Sequence, residues 1–151
     1  MFLKILNHTK QRAIWSWEGF LHVLITEKSV YQWVCANVIS FAAAMALPIS
    51  TAERSLLIMG GILILAMECM NTAIERVVDD ISGDKRELAK QAKDTASAAV
   101  ALSAIAVGLA WIVIGFGMLW YKYNQNLFFK IFSCSFNCRK TEYVIFLSGL
   151  P

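Results

Sequence analysis

Long stretches of this sequence carry no charge, and they restrict the chain to folds that cross a membrane. Residues 29–52 and 95–121 contain no Lys, Arg, Asp or Glu, and each stretch exceeds the ~20 residues that span a ~30 Å hydrocarbon core as a helix. A third stretch, 55–67, is too short to cross alone and must take Glu68 into the bilayer before it ends near Asp79. With 58% hydrophobic residues, the pattern predicts an all-α membrane protein with spans at about 29–50, 55–78 and 95–120.

The segment before the first span has a different pattern. Ile14, Trp17 and Leu21 recur at helical spacing beside polar neighbours, which is typical of an amphipathic helix that lies on the membrane surface. Lys4 and Lys10 interrupt its early apolar residues, so the segment does not resemble a signal peptide. We expect a surface helix at about 1–27.

The basic residues indicate the orientation. Lys and Arg concentrate in the N-terminal arm and in the loop 79–94, whereas the turn at 48–54 contains only Arg54. By the positive-inside tendency, we expect the arm and the loop to be cytoplasmic and the turn at 48–54 to lie on the outer side of the membrane. The net charge of +3 is mild and acidic residues are interleaved with the basic ones, which favours contact with anionic membrane lipids over nucleic acid.

A polar stripe on the second span is the strongest functional signal. Glu68, Asn71, Glu75 and Asp79 fall within roughly 80° of one another at about 100° per residue. A carboxylate inside a membrane is costly and usually marks a site, although polar groups can also join helices. No Walker or Rossmann glycine loop is present, so a nucleotide would need carboxylates, a metal and separate basic side chains.

Two sequence blocks resemble those of a known family. The run ECMNTAIERVVD at 68–79, followed by AKDTASAAV at 92–100, is similar to the signature of the small bacterial integral-membrane diacylglycerol kinases, a family that includes undecaprenol kinases. The segment SWEG at 16–19, with Glu27 and Gln32, matches the same family in order and spacing. The resemblance covers roughly residues 12–120.

The resemblance implies an ATP-dependent lipid kinase that is a multi-pass protein of the bacterial inner membrane and assembles as a homotrimer. Glu68 would be the general base for the lipid hydroxyl, and Asn71 would orient the base or the γ-phosphate. Glu27 and Glu75 would hold the Mg²⁺ that accompanies ATP, and Lys93 would neutralise phosphate charge. Phosphoryl transfer depends mainly on such positioning and charge neutralisation, and Mg²⁺ commonly takes one or two protein carboxylates together with phosphates.

The resemblance also implies two wider sets of contacts. The ATP contacts are His8, Trp15, Glu27, Glu75, Asp79, Asp84, Lys85, Arg86, Lys93 and Asp94. The contacts to the lipid substrate are Arg12, Ser16, Trp17, Gln32, Arg54, Glu68, Ser97 and Trp111.

The chain departs from the family pattern in three places. His8 stands where relatives carry a basic residue, and Trp15 where relatives can carry another aromatic residue. The tail at 121–151 has no counterpart in the family; it is either a disordered or membrane-lying segment, or the product of a frameshift.

Alternatives remain for the function. The acceptor is diacylglycerol or undecaprenol, and the form SAAV at 97–100 is closer to the members that use diacylglycerol. A non-catalytic three-span assembly or transport subunit, with the stripe serving helix association, is the alternative to a kinase.

Overall fold

The chain is helical along nearly its whole length. A computed structural model describes the backbone of residues 1–148 and the side chains of residues 1–125 except Phe2. It contains four helices: α1 (Phe2–Thr26), α2 (Lys28–Ala46), α3 (Thr51–Ile81) and α4 (Glu87–Ser148). Within residues 1–148 there is no strand, which confirms the predicted all-α class.

Three of the helices are long and apolar enough to cross a membrane. They are Lys28–Ala46, Thr51–Ile81 and the part of α4 at Glu87–Gln125. Many large apolar side chains on them are exposed in the single chain, among them Ile39, Ile62 and Ile105. A bilayer can cover such a surface, because its interior is as apolar as these side chains.

A single residue separates α1 from α2. Glu27 has an extended backbone with φ −109° and ψ 114°, while its N–H still donates to the Val23 carbonyl at 2.9 Å. Helices α1 and α2 are therefore separated by Glu27 alone, whose extended backbone interrupts the helical conformation.

Side chains define the turn between α2 and α3. Helix α2 ends at Ala46, two residues before Pro48, since proline excludes the helical conformation from the residue that precedes it. Ser50 and Glu53 form a capping box in which the Ser50 hydroxyl accepts from the Glu53 N–H at 3.2 Å and Glu53 accepts from the Ser50 N–H at 2.7 Å. The box satisfies donors at the first turn of α3.

Arg54 joins the two helices across this turn. Its Nε donates to the Ala44 carbonyl at 2.9 Å, and its Nη2 donates to the Leu47 and Ile49 carbonyls at 3.5 Å each. The last carbonyls of a helix have no partner within the helix. Arg54 supplies donors to the end of α2 from the start of α3.

The core lies along one face of α3. Its buried residues are Leu57, Gly61, Ile64, Glu68 and Thr72, spaced by three or four positions as one helical face requires. Val30 and Ala44 of α2 are fully buried. At Gly61 a Cβ atom would collide with Oδ1 of Asn37 on α2, so the absence of a side chain allows these helices to approach closely.

Helix α4 contacts the other helices through side chains. A Cβ atom at Gly60 of α3 would lie 2.6 Å from Cγ2 of Val107, and Trp111 Nε1 donates to Ser40 Oγ of α2 at 3.0 Å. The chain forms two compact units, Met1–Trp111 and Ile112–Pro151. Every interaction described below lies in the first unit.

Helices α3 and α4 extend beyond the predicted spans, whereas α2 ends at Ala46 and the first span was predicted to end at about 50. Helix α3 begins at Thr51 rather than at about 55, because the capping box starts it before the charge-free stretch, and α4 begins at Glu87 rather than at about 95. Charge patterns locate the part of a helix inside lipid and miss the turns that continue into water. For the tail at 121–151, residues 149–151 and the side chains of 126–148 lie outside the described residues, and its origin stays a prediction.

Candidate functional site

Glu68 lies inside the protein, on the buried face of α3. The residue is 4% exposed, and its Oε2 accepts a hydrogen bond from Ser29 Oγ of α2 at 3.2 Å. No other hydrogen bond or ion pair to its carboxylate occurs among the described residues. The burial of a carboxylate with a single neutral donor costs free energy. A carboxylate inside a membrane protein therefore usually marks a functional site.

Asn71 and Glu75 form a pair one turn closer to the predicted cytoplasmic end. Asn71 Nδ2 donates to Glu75 Oε1 at 3.0 Å. The other amide atom, Asn71 Oδ1, is buried and has no hydrogen-bond partner among the described residues. A buried acceptor without a partner is rare in folded proteins, so this oxygen is available to a ligand.

The junction between α1 and α2 contributes a third carboxylate. Glu27 Oε1 lies 3.1 Å from Arg76 Nη2 of α3, and the same nitrogen donates to Thr26 Oγ1 at 2.7 Å. Arg76 thus attaches the junction to the helix that carries Glu68 and Glu75. The predicted metal ligands Glu27 and Glu75 both lie at this end of the bundle, on or beside α3.

The loop between α3 and α4 forms a polar cavity of about 390 Å³. Lys93 Nζ lies 2.5 Å from Asp79 Oδ1, and Lys90 Nζ lies 3.2 Å from Asp94 Oδ2. The predicted ATP contacts in this region all line the cavity: Asp79, Asp84, Lys85, Arg86, Lys93 and Asp94. Its mixture of ammonium, guanidinium and carboxylate groups suits a phosphate with an accompanying cation.

The residues predicted on α1 are not part of these clusters. His8, Arg12, Trp15, Ser16 and Trp17 are exposed on the surface arm. Their side chains make no hydrogen bond or ion pair within the described part of the chain. Their proposed contacts to ATP or lipid therefore stay predictions.

Gln32 lies next to Glu27 in a cavity at the start of α2. The two side chains, with Tyr31 and Lys28, line a space of about 410 Å³. Gln32, a predicted substrate contact, therefore shares a cavity with Glu27, a predicted metal ligand.

The remaining predicted substrate contacts make no hydrogen bond to Glu68 within the described residues. Arg54 is 14 positions from Glu68 on α3, which corresponds to roughly 21 Å along the axis, and it binds the end of α2. Trp111 bonds Ser40, and Ser97 is exposed on α4. Arg54 and Trp111 thus have structural contacts of their own, which the sequence did not predict.

Sequence reasoning missed three polar residues of the site. Ser29 bonds Glu68, Arg76 bonds Glu27, and Thr72 is 4% exposed one turn from Glu68. Thr72 and Arg76 follow Glu68 at intervals of four, so a second polar row on α3 was present in the sequence. Ser29 gave no such signal, because it follows Lys28 at the start of an ordinary apolar helix.

The oxygen-rich donors fit a magnesium ion that is shared with a phosphate. No three His, Cys, Asp or Glu side chains among the described residues are grouped closely enough to hold a metal by themselves. Mg²⁺ does not require such a cage, because it usually binds one or two carboxylates, waters and substrate phosphates. The Asn71 amide oxygen lies beside Glu75 and has no partner among the described residues. An oxygen of this type can coordinate magnesium or accept a hydrogen bond from a water bound to it.

Comparison with known proteins assigns the chain to a family. The sequence pattern of prokaryotic diacylglycerol kinase matches residues 14–115. The chain is 40% identical over 114 residues to a diacylglycerol kinase of Pseudomonas aeruginosa, covering 74% of this chain and 89% of that protein. It is 34% identical over 102 residues to the diacylglycerol kinase of Escherichia coli, covering 68% and 84% respectively. A diacylglycerol kinase of Haemophilus influenzae is 41% identical over 59 residues, covering 39% and 50%.

Proposed function

Because this chain belongs to the prokaryotic diacylglycerol kinase family, we propose that it transfers the γ-phosphoryl group of ATP to the free hydroxyl of diacylglycerol and so makes phosphatidic acid. The observation that carries the proposal is the buried Glu68 carboxylate, held by Ser29 at the end of the bundle that also bears Asn71, Glu75 and Glu27. A carboxylate in that position can meet a hydroxyl that arrives from the bilayer.

Glu68 acts as the general base. Its carboxylate accepts the proton of the lipid hydroxyl as the hydroxyl oxygen attacks the γ-phosphorus, and ADP departs with the electron pair of the broken P–O bond. General bases of this kind contribute about 10²- to 10⁴-fold to a rate. The Ser29 hydrogen bond, at 3.2 Å, restricts the rotation of the carboxylate so that one oxygen stays free for the proton.

Glu27 and Glu75 hold magnesium together with the phosphates of ATP. When bound, magnesium neutralises negative charge on the phosphates and so favours attack by an oxygen nucleophile. Asn71 fixes the Glu75 carboxylate through its amide N–H₂ and leaves Oδ1 for the ligand. The two ends of the Asn71 amide thus have different roles, and the role of Oδ1 as a ligand contact explains why this buried oxygen has no partner among the described residues.

Lys93 and its neighbours receive the nucleotide from the aqueous side. In the structure Lys93 pairs with Asp79, which keeps its ammonium group in the loop cavity. Phosphate oxygens compete for that ammonium when ATP binds. The protein acts in the inner membrane, with the loop cavity in the cytoplasm, and assembles as a homotrimer.

The proposal is tested with purified protein in mixed micelles. The assay follows the transfer of labelled γ-phosphate from ATP while Mg²⁺ is varied, with diacylglycerol and undecaprenol offered separately. We expect label in phosphatidic acid that depends on magnesium. Label in undecaprenyl phosphate alone would reassign the acceptor, and no label in either lipid from a folded oligomer would favour a non-catalytic assembly subunit.

A further inference from the structure

Arg76 occupies a position at the site that phosphoryl transfer by itself does not explain. It lies on α3 directly after the predicted metal ligand Glu75, yet its guanidinium extends to the other predicted ligand, Glu27. Both members of the pair are partly exposed, at 42% for Arg76 and 35% for Glu27. Because Arg76 follows Glu75 directly, its contact with Glu27 attaches the junction to the turn of α3 that carries Glu75.

The contact is made at the break in the helical backbone between α1 and α2. Glu27 is the single non-helical residue between α1 and α2, so its φ and ψ angles determine where its carboxylate lies. Arg76 Nη2 bonds both Thr26 Oγ1 at 2.7 Å and Glu27 Oε1 at 3.1 Å. A single nitrogen thus holds the last residue of α1 and the junction residue.

The arrangement leaves part of the Glu27 carboxylate free. Oε1 accepts from Arg76 and, at 3.5 Å, from Thr26. Oε2 has no hydrogen bond or ion pair within the described residues, so it can serve as a metal ligand while Oε1 keeps its partner. Metal-ligating carboxylates are commonly oriented by such hydrogen bonds, and their loss weakens metal binding.

We propose that Arg76 is a positioning residue for Glu27, which binds the α1–α2 junction to α3 and so presents one carboxylate oxygen to the metal beside Glu75. This inference rests on the proposed function only where it assigns magnesium to Glu27 and Glu75. The attachment of the junction to α3 does not depend on any reaction.

Three variants separate this role from charge and from general stability. Arg76→Ala removes the donor, and Arg76→Lys keeps a cation without the planar guanidinium. Lys28→Ala is the matched control, since it removes one positive charge next to Glu27 in the chain while no hydrogen bond or ion pair of Lys28 occurs among the described residues. A general effect of charge would appear equally in Arg76→Ala and Lys28→Ala.

The first readout is hydrogen exchange of the full chain in micelles without metal or nucleotide. We expect faster exchange in the peptide that contains the Glu27 and Tyr31 amides, which donate to Val23 and Glu27 carbonyls, in Arg76→Ala but not in Lys28→Ala. The second readout is the binding of Mn²⁺, followed by electron paramagnetic resonance with a non-hydrolysable ATP analogue. This measurement does not depend on turnover.

The expected change in metal binding is modest, because the ion pair is partly exposed. We expect the Mn²⁺ dissociation constant of Arg76→Ala to rise about threefold, with partial recovery in Arg76→Lys and no change in Lys28→Ala. In the kinase assay, the Mg²⁺ concentration for half-maximal rate should rise by the same factor while kcat stays within about twofold.

The outcomes are distinct. Faster junction exchange with unchanged Mn²⁺ binding would reduce Arg76 to a structural contact and overturn the proposal, as would equal effects of Arg76→Ala and Lys28→Ala. Failure of the wild-type protein to bind Mn²⁺ would also overturn it. Absence of lipid phosphorylation with the expected Mn²⁺ shift would contradict the proposed function and leave the role of Arg76 supported.

Discussion

Replacement of Glu68 by Gln should abolish catalysis while the fold is retained. Gln has the same shape as Glu, and its carbonyl oxygen can still accept the hydrogen bond that Ser29 donates at 3.2 Å. An amide cannot accept the proton of the lipid hydroxyl at neutral pH. We therefore expect kcat to fall by about 10²- to 10⁴-fold, the usual contribution of a general base, with little change in KM for ATP.

The effect on stability follows from the environment of the side chain. Glu68 is 4% exposed and its carboxylate has one neutral donor among the described residues. The variant exchanges a charge-assisted hydrogen bond, which contributes roughly 1.5–3 kcal/mol, for a neutral one that contributes about 0.5–1.5 kcal/mol, and it also avoids the burial of a charge, which costs several kcal/mol. The two terms oppose each other, so the free energy of unfolding should rise slightly or stay unchanged.

The assay measures both properties on the same preparation. Initial rates of phosphatidic acid formation give kcat and KM, and thermal unfolding in micelles reports stability. The matched control is Glu53→Gln, which makes the same chemical change on α3 about 22 Å from Glu68 along the helix axis, in a capping box that Gln can also complete. A Glu68→Gln protein with wild-type kcat would refute the assignment of the base. Loss of activity together with loss of the folded oligomer would instead indicate a structural role.

Three further substitutions, two of them paired with a comparison variant, test the helix packing, the α2–α3 turn and the α3–α4 loop. Gly61→Ala places a methyl group against α2 and should lower the free energy of unfolding by about 1–3 kcal/mol in a thermal or denaturant titration. In the control Gly108→Ala, where the added Cβ meets no atom of a neighbouring helix within 4 Å, the free energy of unfolding should stay unchanged or rise by up to about 1 kcal/mol, because Ala has the higher helix propensity. Arg54→Ala should destabilise the α2–α3 turn by roughly 1–3 kcal/mol without changing KM for diacylglycerol. A rise in that KM would instead support Arg54 as a contact to the lipid substrate. Lys93→Ala should raise KM for ATP about tenfold, because it removes a charged contact to phosphate. Asp79→Asn removes the ion-pair partner of Lys93 but keeps the ammonium group, so it should raise KM for ATP less than Lys93→Ala does. Equal ATP dependence in wild-type and Lys93→Ala proteins would exclude Lys93 from phosphate binding.

The sequence was sufficient for the fold because the bilayer imposes a simple constraint. A backbone in lipid must satisfy its hydrogen bonds internally, so charge-free stretches of sufficient length had to be helices. The ends were less predictable. Thr51 and Glu87 start their helices several residues before the positions at which charge patterns place the spans, because caps and local propensity, rather than hydropathy, decide where a helix begins.

The site could be predicted where one helix carried it. Glu68, Asn71 and Glu75 share a face of α3, and a polar group in an apolar helix is a sharp signal. Contacts between helices were not predictable from spacing. Neither Ser29 with Glu68 nor Arg76 with Glu27 follows from a periodic pattern, because each pair depends on how α2 and α3 are placed in space. Glu27 itself was found through family resemblance and not through its own neighbours.

The bond from Arg54 to the end of α2 has a consequence for biogenesis. The carbonyls of Ala44, Leu47 and Ile49 precede Arg54 in the chain, so a ribosome delivers the acceptors before it delivers their donor. During synthesis the first span remains without this closure until the second has begun to emerge. We therefore expect the translocation machinery to release α2 and α3 into lipid as one helical hairpin. The carboxylate at Glu68 would then enter the bilayer already beside the hydroxyl of Ser29, rather than crossing it alone.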